Sequence, residues 1–308
     1  MGALIVFVDG VGLGDDDKAH NPLAAVAMPT VRRLLDGAAL TRTAARSGPY
    51  TSGVSLRALD ATLGVEGLPQ SGTGQATLWS GVNVAAQLGR HAGPYAPPLA
   101  REVLQVHNLF SAAGSGHGVA FANAYPPRYL DRMARGTARQ SVTALAANLA
   151  RVPFRGPDEI RAGEALSAFI TNEDWESRLG VAGVPDVTPT EAGANLGRLA
   201  RAHRLTVFEY FVTDMAGHRQ EAALAEVALT RLDGLLEGAF GALDPTRDLL
   251  LMTSDHGNLE DRLTSDHTLN PVPALVWGRG GRAVAESLSG LADVMPTVLA
   301  WLHRELFD

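Results

Sequence analysis

Five short apolar runs, separated by helix-like segments, dictate the class of fold open to this chain. The runs are bounded by turn residues and cover 3–8, 118–125, 205–213, 248–254 and 273–277. Apolar residues recur at helical spacing in the intervening segments 28–37, 220–240 and 291–303. Because strands that alternate with helices build parallel sheets, the sequence predicts an α/β fold with a mostly parallel sheet flanked by helices.

The middle of the chain differs from its two flanks. Proline and glycine are concentrated near both ends of 92–190, and this segment lacks the aspartate-ended strands of the flanks. We therefore expect a catalytic core formed by 1–91 and 191–308, with 92–190 inserted as a smaller cap domain. The run 118–125 fits either the core sheet or the cap.

Three of the apolar runs end in, or just before, an aspartate. One aspartate alone is commonly a turn residue or a helix N-cap. If the three strands are parallel, however, their carboxyl ends meet at one sheet edge, where α/β proteins bind ligands. The residues that would converge there, with a third histidine returning from a loop, are Asp9, Asp214, His218, Asp255, His256 and His267.

Such a cluster of carboxylates requires neutralising charge. Carboxylates placed together repel one another unless cations are present, and the chain has no cysteine to supply thiolate ligands. Mixed carboxylate and imidazole ligands suit Mn²⁺ or Zn²⁺. We expect divalent metal ions, with Mn²⁺ favoured and Zn²⁺ possible.

A glycine-rich turn at 69–81 presents a hydroxyl that could react. Ser71 lies in this turn, before a helix predicted to open at about Gly74. Backbone N–H groups at a helix start bind phosphate, and a metal-bound serine hydroxyl can attack phosphorus. The alternative is that Ser71 or Thr73 only caps the helix.

Other classes of protein fit the sequence poorly. A formal charge of −7 disfavours nucleic-acid binding. A dinucleotide fingerprint fails at Asp15, a P-loop would need a lysine other than Lys18, and Ser71 lacks a nucleophile elbow. No apolar run is long enough to span a membrane, and the start of the chain lacks a signal-peptide pattern. We expect a cytoplasmic protein with no membrane or nucleic-acid partner; the sequence does not set its oligomeric state.

The motifs taken together resemble a known family. The stretches FVDGVG, QSGTGQ, DMAGH, SDHGN and HTLNPVP occur in this order. They resemble the alkaline phosphatase superfamily, within it the branch of cofactor-independent phosphoglycerate mutases and phosphopentomutases. The resemblance covers the two flanks, and it implies an alkaline-phosphatase-like core that holds two metal ions.

The resemblance also implies a role for each residue. It makes Asp214, His218 and His267 the ligands of one metal. The second metal would be held by Asp9, Ser71, Asp255 and His256, and Ser71 would also be the nucleophile that becomes phosphorylated. Asp266 matches no ligand position, and we interpret it as a neighbour of the site or a solvated residue.

Departures from the mutase pattern bear on the substrate. After the nucleophile the mutases carry Gly-His, whereas this chain has Gly74-Gln75, and no lysine matches the one that they use near the metals. Candidate substrate-binding residues are the arginines spaced 4, 3 and 4 in the cap and two residues near the predicted hinge. These are Arg128, Arg132, Arg135, Arg139, Arg90 and His91. The alternative for the arginines is a solvated helix face.

These features predict a two-metal-ion phosphotransfer enzyme that acts through a phosphoserine. The favoured form is a phosphomutase acting on a small phosphorylated metabolite. One alternative is a metal-dependent phosphatase or phosphodiesterase that releases phosphate to water. The other is a metal-binding module without catalytic activity.

Overall fold

A computed structural model describes residues 1–114 and 118–304, and its centre is a six-stranded mixed sheet. The strand order is β2-β6-β5-β1-β4-β3. The strands are β1 (Ala3–Val8), β2 (Ser55–Leu59), β3 (Val119–Phe121), β4 (Leu205–Tyr210), β5 (Leu249–Thr253) and β6 (Val272–Gly278). Strand β1 pairs in parallel with β4 and β5, and β3 pairs in parallel with β4. Strand β6 pairs antiparallel with β5 and β2.

Helices cover both faces of the sheet. Those before β3 are α1 (Pro22–Ala25), α2 (Pro29–Leu34), α3 (Arg42–Ser47), α4 (Ser71–Ser80), α5 (Val84–Leu88), α6 (Pro98–Val106) and α7 (Leu109–Ala113). Between β3 and β4 lie α8 (Pro127–Ala134), α9 (Val142–Leu149), α10 (Pro157–Arg161), α11 (Asp174–Ser177) and α12 (Pro189–Ala202). The remaining helices are α13 (Val212–Arg219), α14 (Ala222–Ala242), α15 (Gly281–Glu286) and α16 (Val294–Arg304), the last preceded by a 3-10 helix, Leu291–Asp293.

The central strands are buried on both faces, which explains their continuous apolar runs. Alternate side chains of β1 enter different hydrophobic clusters. Ile5 and Phe7 pack with α4, α9 and α16, whereas Leu4 and Val6 pack with α12 and α14. The sheet is therefore held from two sides, and its loops are the parts left to form a site.

The α/β prediction is confirmed, and most of the predicted strands form. The run 205–213 ends as a strand at Tyr210, because α13 begins at Val212. Strand β2 was not predicted from the sequence. Its burial does not alternate regularly, and Arg57 on this edge strand is exposed.

The segment predicted as a cap contributes to the main sheet. Strand β3 pairs with β4, so residues 119–121 belong to the core sheet. The sequence had left open whether this run belongs to the sheet or to the cap. Helices α6, α7 and α9 bury apolar residues in the same cluster as α4, among them Leu104, Phe110 and Leu145. The division into 1–91 with 191–308 and 92–190 stays a prediction, although part of 92–190 packs as core.

Among the described helices, none combines the length and the apolar character needed to cross a membrane.

Candidate metal centre

The three strands that precede the predicted aspartates are adjacent and parallel. Strand β1 lies between β4 and β5, with Val8 opposite Tyr210 and Phe7 opposite Thr253. Asp9 directly follows β1, Asp255 comes two residues after β5, and Asp214 lies in the first turn of α13. All three carboxylates therefore sit at the carboxyl edge of the sheet, as expected.

A glycine allows two of the aspartates to approach each other. Gly10 has a φ of +69°, and a Cβ built on it would fall 2.5 Å from Oδ1 of Asp214. The hydroxyl of Thr213 donates to the carbonyl of Asp9 at 2.6 Å. An L side chain at position 10 would meet both backbone strain and the Asp214 carboxylate.

Asp214, His218 and His267 form one group of possible ligands. His218 comes four positions after Asp214, so both lie on one face of α13. Nε2 of His218 is 3.4 Å from Oδ2 of Asp214, and Nε2 of His267 is 3.8 Å from its Oδ1. The side chain of His218 is 46% exposed, so this part of the centre opens to solvent.

Backbone carbonyls fix the tautomers of these two histidines. Nδ1 of His218 is 2.8 Å from the carbonyl of Ser265, and Nδ1 of His267 is 2.6 Å from that of Pro69. A carbonyl only accepts, so each Nδ1 carries the proton and donates it. The two Nε2 lone pairs then face each other at 3.1 Å. Lone pairs in this arrangement repel unless a cation lies near both, and a dication suits this donor set.

The residues that the resemblance assigns to the second metal are Asp9, Ser71, Asp255 and His256, which we call the second group; within it, Asp9 and His256 lie with Asp214 at ligand distance from one another. Nε2 of His256 lies 2.9 Å from Oγ of Ser71, 3.4 Å from Oδ1 of Asp9 and 3.6 Å from Oδ2 of Asp255. Oδ1 of Asp9 and both carboxylate oxygens of Asp255 are buried without a hydrogen-bond partner among the described residues. Asp214 also falls within ligand distance of Asp9 and His256, so it lies between the two groups.

Burial and neighbouring charges shift the pKa values of Asp9, Asp255 and His256. Burial, then the neighbouring Asp255 and Asp214, raises the pKa of Asp9 well above its usual value. Burial and Asp214 raise the pKa of Asp255 to about 7. Burial and nearby His267 lower the pKa of His256 to about 3, which keeps this imidazole neutral near pH 7. A dication at this edge would favour the ionised carboxylates and accept the neutral imidazole as a ligand.

Ser71 is the first residue of α4, three residues earlier than the predicted helix start. The N-cap is Gln70, whose side chain makes no capping hydrogen bond. The hydroxyl of Ser71 is directed to His256 instead, and that of Thr73 donates to the carbonyl of Gln70 at 3.2 Å. The alternative in which either hydroxyl caps the helix is therefore wrong.

Comparison with known proteins places this arrangement in a family. A model of the metalloenzyme superfamily matches residues 1–305. The chain belongs to the metalloenzyme superfamily. One relative in this superfamily is the 2,3-bisphosphoglycerate-independent phosphoglycerate mutase of Dinoroseobacter shibae, which is 31% identical over 127 residues. That match covers 39% of this chain and 25% of the relative, so the chain spans about a quarter of the length of the curated mutase.

Solved structures share the fold of this superfamily member. The cold-active alkaline phosphatase of Shewanella sp. has a TM-score of 0.54 at 13% identity, covering 98% of this chain and all (100%) of that one. Phosphoglycerate mutase of Leishmania mexicana has a TM-score of 0.50 at 12% identity, covering 98% of this chain and 97% of that one. At these identities the likeness shows the fold, and the alkaline-phosphatase-like core predicted from the motifs is confirmed.

A chain of buried hydrogen bonds through the side-chain amide of Gln75 supports the centre of this metalloenzyme. The sequence alone did not predict it. Nε2 of Gln75 donates to Oδ2 of Asp9 at 3.1 Å, and the hydroxyl of Thr143 donates to Oε1 of Gln75 at 3.3 Å. The indole of Trp79 donates to Thr143 at 3.0 Å. Gln75, which departs from the mutase pattern, thus connects α4 and α9 to the carboxylate at the end of β1.

Glu209 is a further buried acid that sequence reasoning missed. It lies in β4 and accepts from the hydroxyl of Ser141 at 2.7 Å, while its Oε1 is buried without a partner among the described residues. Burial raises its pKa to about 7. The sequence signal that could have identified this buried acid is the presence of a glutamate within an apolar run.

Glu260 holds the loops of the centre together. Its Oε2 accepts from the backbone N–H of Gly12 at 2.8 Å and of Asn258 at 2.9 Å. Its Oε1 accepts from the hydroxyl of Thr268 and from Nδ2 of Asn270 at 3.0 Å. This carboxylate joins the loops after β1 and β5 to the segment before β6, and nothing in the local sequence distinguishes it from a solvated glutamate.

The predicted substrate-binding residues do not gather at the centre. Arg90, Arg128 and Arg132 are exposed, and no hydrogen bond or ion pair within 1–114 and 118–304 joins them to the candidate ligands. Nε2 of His91 is 3.3 Å from the carbonyl of Val65. Because α8 ends at Ala134, only the first two of the four spaced arginines lie within it.

Within 1–114 and 118–304, no hydrogen bond or ion pair joins Arg135, Arg139 or Asp266 to the side chains of the candidate ligands. Arg135 is the C-cap of α8, and Arg139 lies over the ring of Tyr95 at 5.5 Å. Asp266 is exposed. The expectation of one arginine face on a helix is therefore wrong, and a role of Arg90, His91, Arg128 or Arg132 in binding substrate stays a prediction.

Proposed function

We propose that this chain is a two-metal-ion phosphotransfer enzyme in which Ser71 becomes phosphorylated. The observation that carries the proposal is the position of the Ser71 hydroxyl, 2.9 Å from Nε2 of His256 in the second ligand group. Ser71 also begins a helix, where backbone N–H groups and the helix dipole favour a phosphate. The similarity in sequence to a phosphoglycerate mutase, and in fold to an alkaline phosphatase, supports the same chemistry.

The residues divide the chemical work between them. Asp214, His218 and His267 would hold one divalent ion, and Asp9, Ser71, Asp255 and His256 the other, with Mn²⁺ favoured and Zn²⁺ as the alternative. When bound, such ions supply Lewis acidity and favour the deprotonated serine. Ser71 Oγ then forms a bond to phosphorus as the bond from phosphorus to the leaving alcohol breaks, and the alcohol takes up a proton.

We propose water as the second acceptor of the phosphoryl group. A mutase must keep water away from its phosphoenzyme, whereas the side chain of His218 is 46% exposed at this centre. Water attacks phosphorus as the bond from phosphorus to Ser71 Oγ breaks, a proton of the water passes to Ser71 Oγ, and inorganic phosphate is released. A phosphomutase is the second candidate, favoured by the similarity to the phosphoglycerate mutase of Dinoroseobacter shibae. In both cases the partner is a small phosphorylated substrate.

The test is to incubate the Mn²⁺-loaded protein with a panel of phosphate monoesters, phosphorylated sugars and phosphoglycerates. Free phosphate and positional isomers are followed together, and the protein is digested for mass spectrometry. We expect phosphate release and a phosphorylated Ser71. Isomerisation without phosphate release would identify a mutase instead.

Two variants make this test specific. Ser71→Ala should abolish both turnover and the phosphopeptide, because the attacking oxygen is gone. Thr73→Ala removes a hydroxyl two residues along the same helix and should retain turnover. If Ser71→Ala remains active, or if the wild-type protein never becomes phosphorylated and turns over no substrate, the proposal fails and the metal-binding module without activity is favoured.

A further inference from the structure

The loops around the candidate metal centre expose an unusual share of large apolar side chains. Among the described residues these exposed side chains are Met1, Leu68, Tyr95, Val106, Val227, Leu263 and Leu269. Four of them lie on loops that carry or contact the proposed ligands, namely Leu68, Tyr95, Leu263 and Leu269. The two most exposed of these four are Leu263, at 72%, and Leu269, at 61%.

Three of these leucines lie within two residues of a proposed histidine ligand or of a carbonyl that orients one. Leu68 precedes Pro69, whose carbonyl accepts from Nδ1 of His267 at 2.6 Å. Leu269 is the second residue after His267. Leu263 comes two residues before Ser265, whose carbonyl accepts from Nδ1 of His218 at 2.8 Å. The backbone that orients the imidazoles thus also places Leu68, Leu263 and Leu269, which we call the leucine rim.

The fourth apolar side chain is placed by the nucleophile helix. A Cβ on Gly72 would fall 2.3 Å from the carbonyl oxygen of Tyr95, so the loop that carries Tyr95 packs directly on the residue after Ser71. Tyr95 is 48% exposed, and the guanidinium of Arg139 lies 5.5 Å from the centroid of its ring. Apolar surface is therefore found beside both the histidines and the nucleophile.

Isolated exposed apolar residues are common on protein surfaces and carry no functional meaning. Met1, Val106 and Val227 fit that description, since they lie at the chain start, on α6 and on α14. The leucine rim differs because its members are fixed on the loops that hold one reactive centre. An apolar surface joined to a reactive site is best explained by the molecule that reacts there.

We propose that the substrate is a phosphate ester of an apolar alcohol, with its hydrocarbon part packed against Leu68, Leu263 and Leu269. This inference rests on the proposed function. The phosphoryl group would lie between Ser71 and the two ligand groups, with the hydrocarbon on the side of His218 and His267. A sugar phosphate or phosphoglycerate would instead present hydroxyl or carboxylate groups to leucine side chains, and their desolvation would oppose binding.

The test compares matched ligands and matched substrates. Methylphosphonate, butylphosphonate and hexylphosphonate are titrated calorimetrically into the Mn²⁺-loaded protein, and methyl, butyl and hexyl phosphate are assayed for phosphate release. Each methylene that contacts the rim should tighten binding by about two- to fourfold. We expect KM to fall along the series with little change in kcat for the chemical step.

Leu263→Ser and Leu269→Ser should remove most of the gain that the hexyl compounds show over the methyl compounds. Val106→Ser replaces an equally exposed side chain on α6 and serves as the control. Glycerol 1-phosphate, polar but of similar length to butyl phosphate, should bind no better than methyl phosphate. Because the leucines are exposed, these variants should retain the wild-type melting temperature.

The outcomes separate this inference from the proposed function. If methyl phosphate is hydrolysed but chain length has no effect, the leucine rim does not contact substrate and only the present inference fails. If no ester is hydrolysed, the proposed function fails, while calorimetry still reports whether the rim contacts the alkyl chain. If Leu263→Ser or Leu269→Ser changes the mass measured by light scattering, the rim is an interface between protein chains, which overturns the inference.

Discussion

The rings of His256 and His267 stack face to face, with centroids 3.7 Å apart and planes inclined by 18°. One ring belongs to each proposed ligand group, so the stacked rings bring the two groups into direct contact. Each imidazole limits the rotation of the other, and loss of His267 would leave His256 unsupported. The two metal sites are therefore expected to respond unequally to the loss of their histidines.

Metal content measures this coupling. The wild-type protein, loaded with Mn²⁺ and dialysed, should carry about two ions per chain. His218→Gln should reduce this to about one, whereas His267→Ala should reduce it further because the stacked neighbour also loses its support. Elemental analysis by mass spectrometry provides the count. His20→Ala, an exposed histidine paired with Asp17, is the control, and equal losses in all three variants would contradict the assignment.

The second prediction concerns the amide between α4 and β1. Gln75→Met keeps the length of the side chain but leaves Oδ2 of Asp9 without its amide donor and the hydroxyl of Thr143 without its acceptor. Buried groups left unpaired cost about 1–3 kcal/mol each, so the free energy of unfolding should fall by that order. Urea denaturation measures the change. Gln87→Met, on an exposed position of α5, should be neutral, and a neutral Gln75→Met would show that the hydrogen bonds of Gln75 are unimportant for stability.

The third prediction uses the raised pKa of Glu209. Burial moves its pKa from 4.5 to about 7, so between these pH values the folded carboxyl keeps a proton that the unfolded one has released. Its stabilising contribution is complete below pH 4.5 and is lost as pH rises to about 7, a total of roughly 3 kcal/mol.

Glu209→Gln removes this titration. The unfolding free energy of the wild-type protein minus that of Glu209→Gln should therefore decrease as pH rises from 4.5 to 7, and then level off. Urea titrations in the presence of a chelator give both values at each pH. A difference that is constant with pH would mean that Glu209 ionises normally in the folded protein.

Two glycines test the close approach of Asp214 to β1. Gly10→Ala and Gly89→Ala both place an alanine at positive φ, +69° and +73°, which costs about 1–2 kcal/mol in each case. Only at position 10 does the new Cβ meet another group, the Asp214 carboxylate; at position 89 nothing lies within 4 Å. Gly10→Ala should therefore lose metal affinity as well as stability, and Gly89→Ala only stability. Calorimetric Mn²⁺ titration distinguishes them, and equal affinities would show that Asp214 can move freely.

The sequence predicted the buried strands of the sheet, because each of them is a continuous apolar run. Strands such as 3–8 are buried on both faces, so their pattern needs no tertiary information. The convergence of Asp9, Asp214 and Asp255 followed from parallel strands alone. Strand β2 escaped prediction because an edge strand with exposed Arg57 carries little periodic signal.

The supporting residues could not be predicted, because their environment is made by distant segments. Gln75 and Glu260 look like ordinary polar residues until α9, β1 and the loop before β6 are brought next to them. For the arginines, the sequence suggested a shared helix face that the structure does not contain. Spacing alone suggested a common face, but α8 ends before Arg135 and Arg139.

Glu260 separates the loop between β5 and β6 into a fixed base and a replaceable tip. Its carboxylate anchors Asn258 on one side of the tip and Thr268 with Asn270 on the other, and it ties both to Gly12. Residues 261–264, Leu263 among them, lie between these anchored positions and carry neither a proposed ligand nor a group that orients one, whereas Ser265 must be kept because its carbonyl accepts from Nδ1 of His218. A protein engineer could therefore exchange residues 261–264 to alter which esters are accepted while the residues that position the ligands are retained, whereas altering Glu260 would release three segments at once.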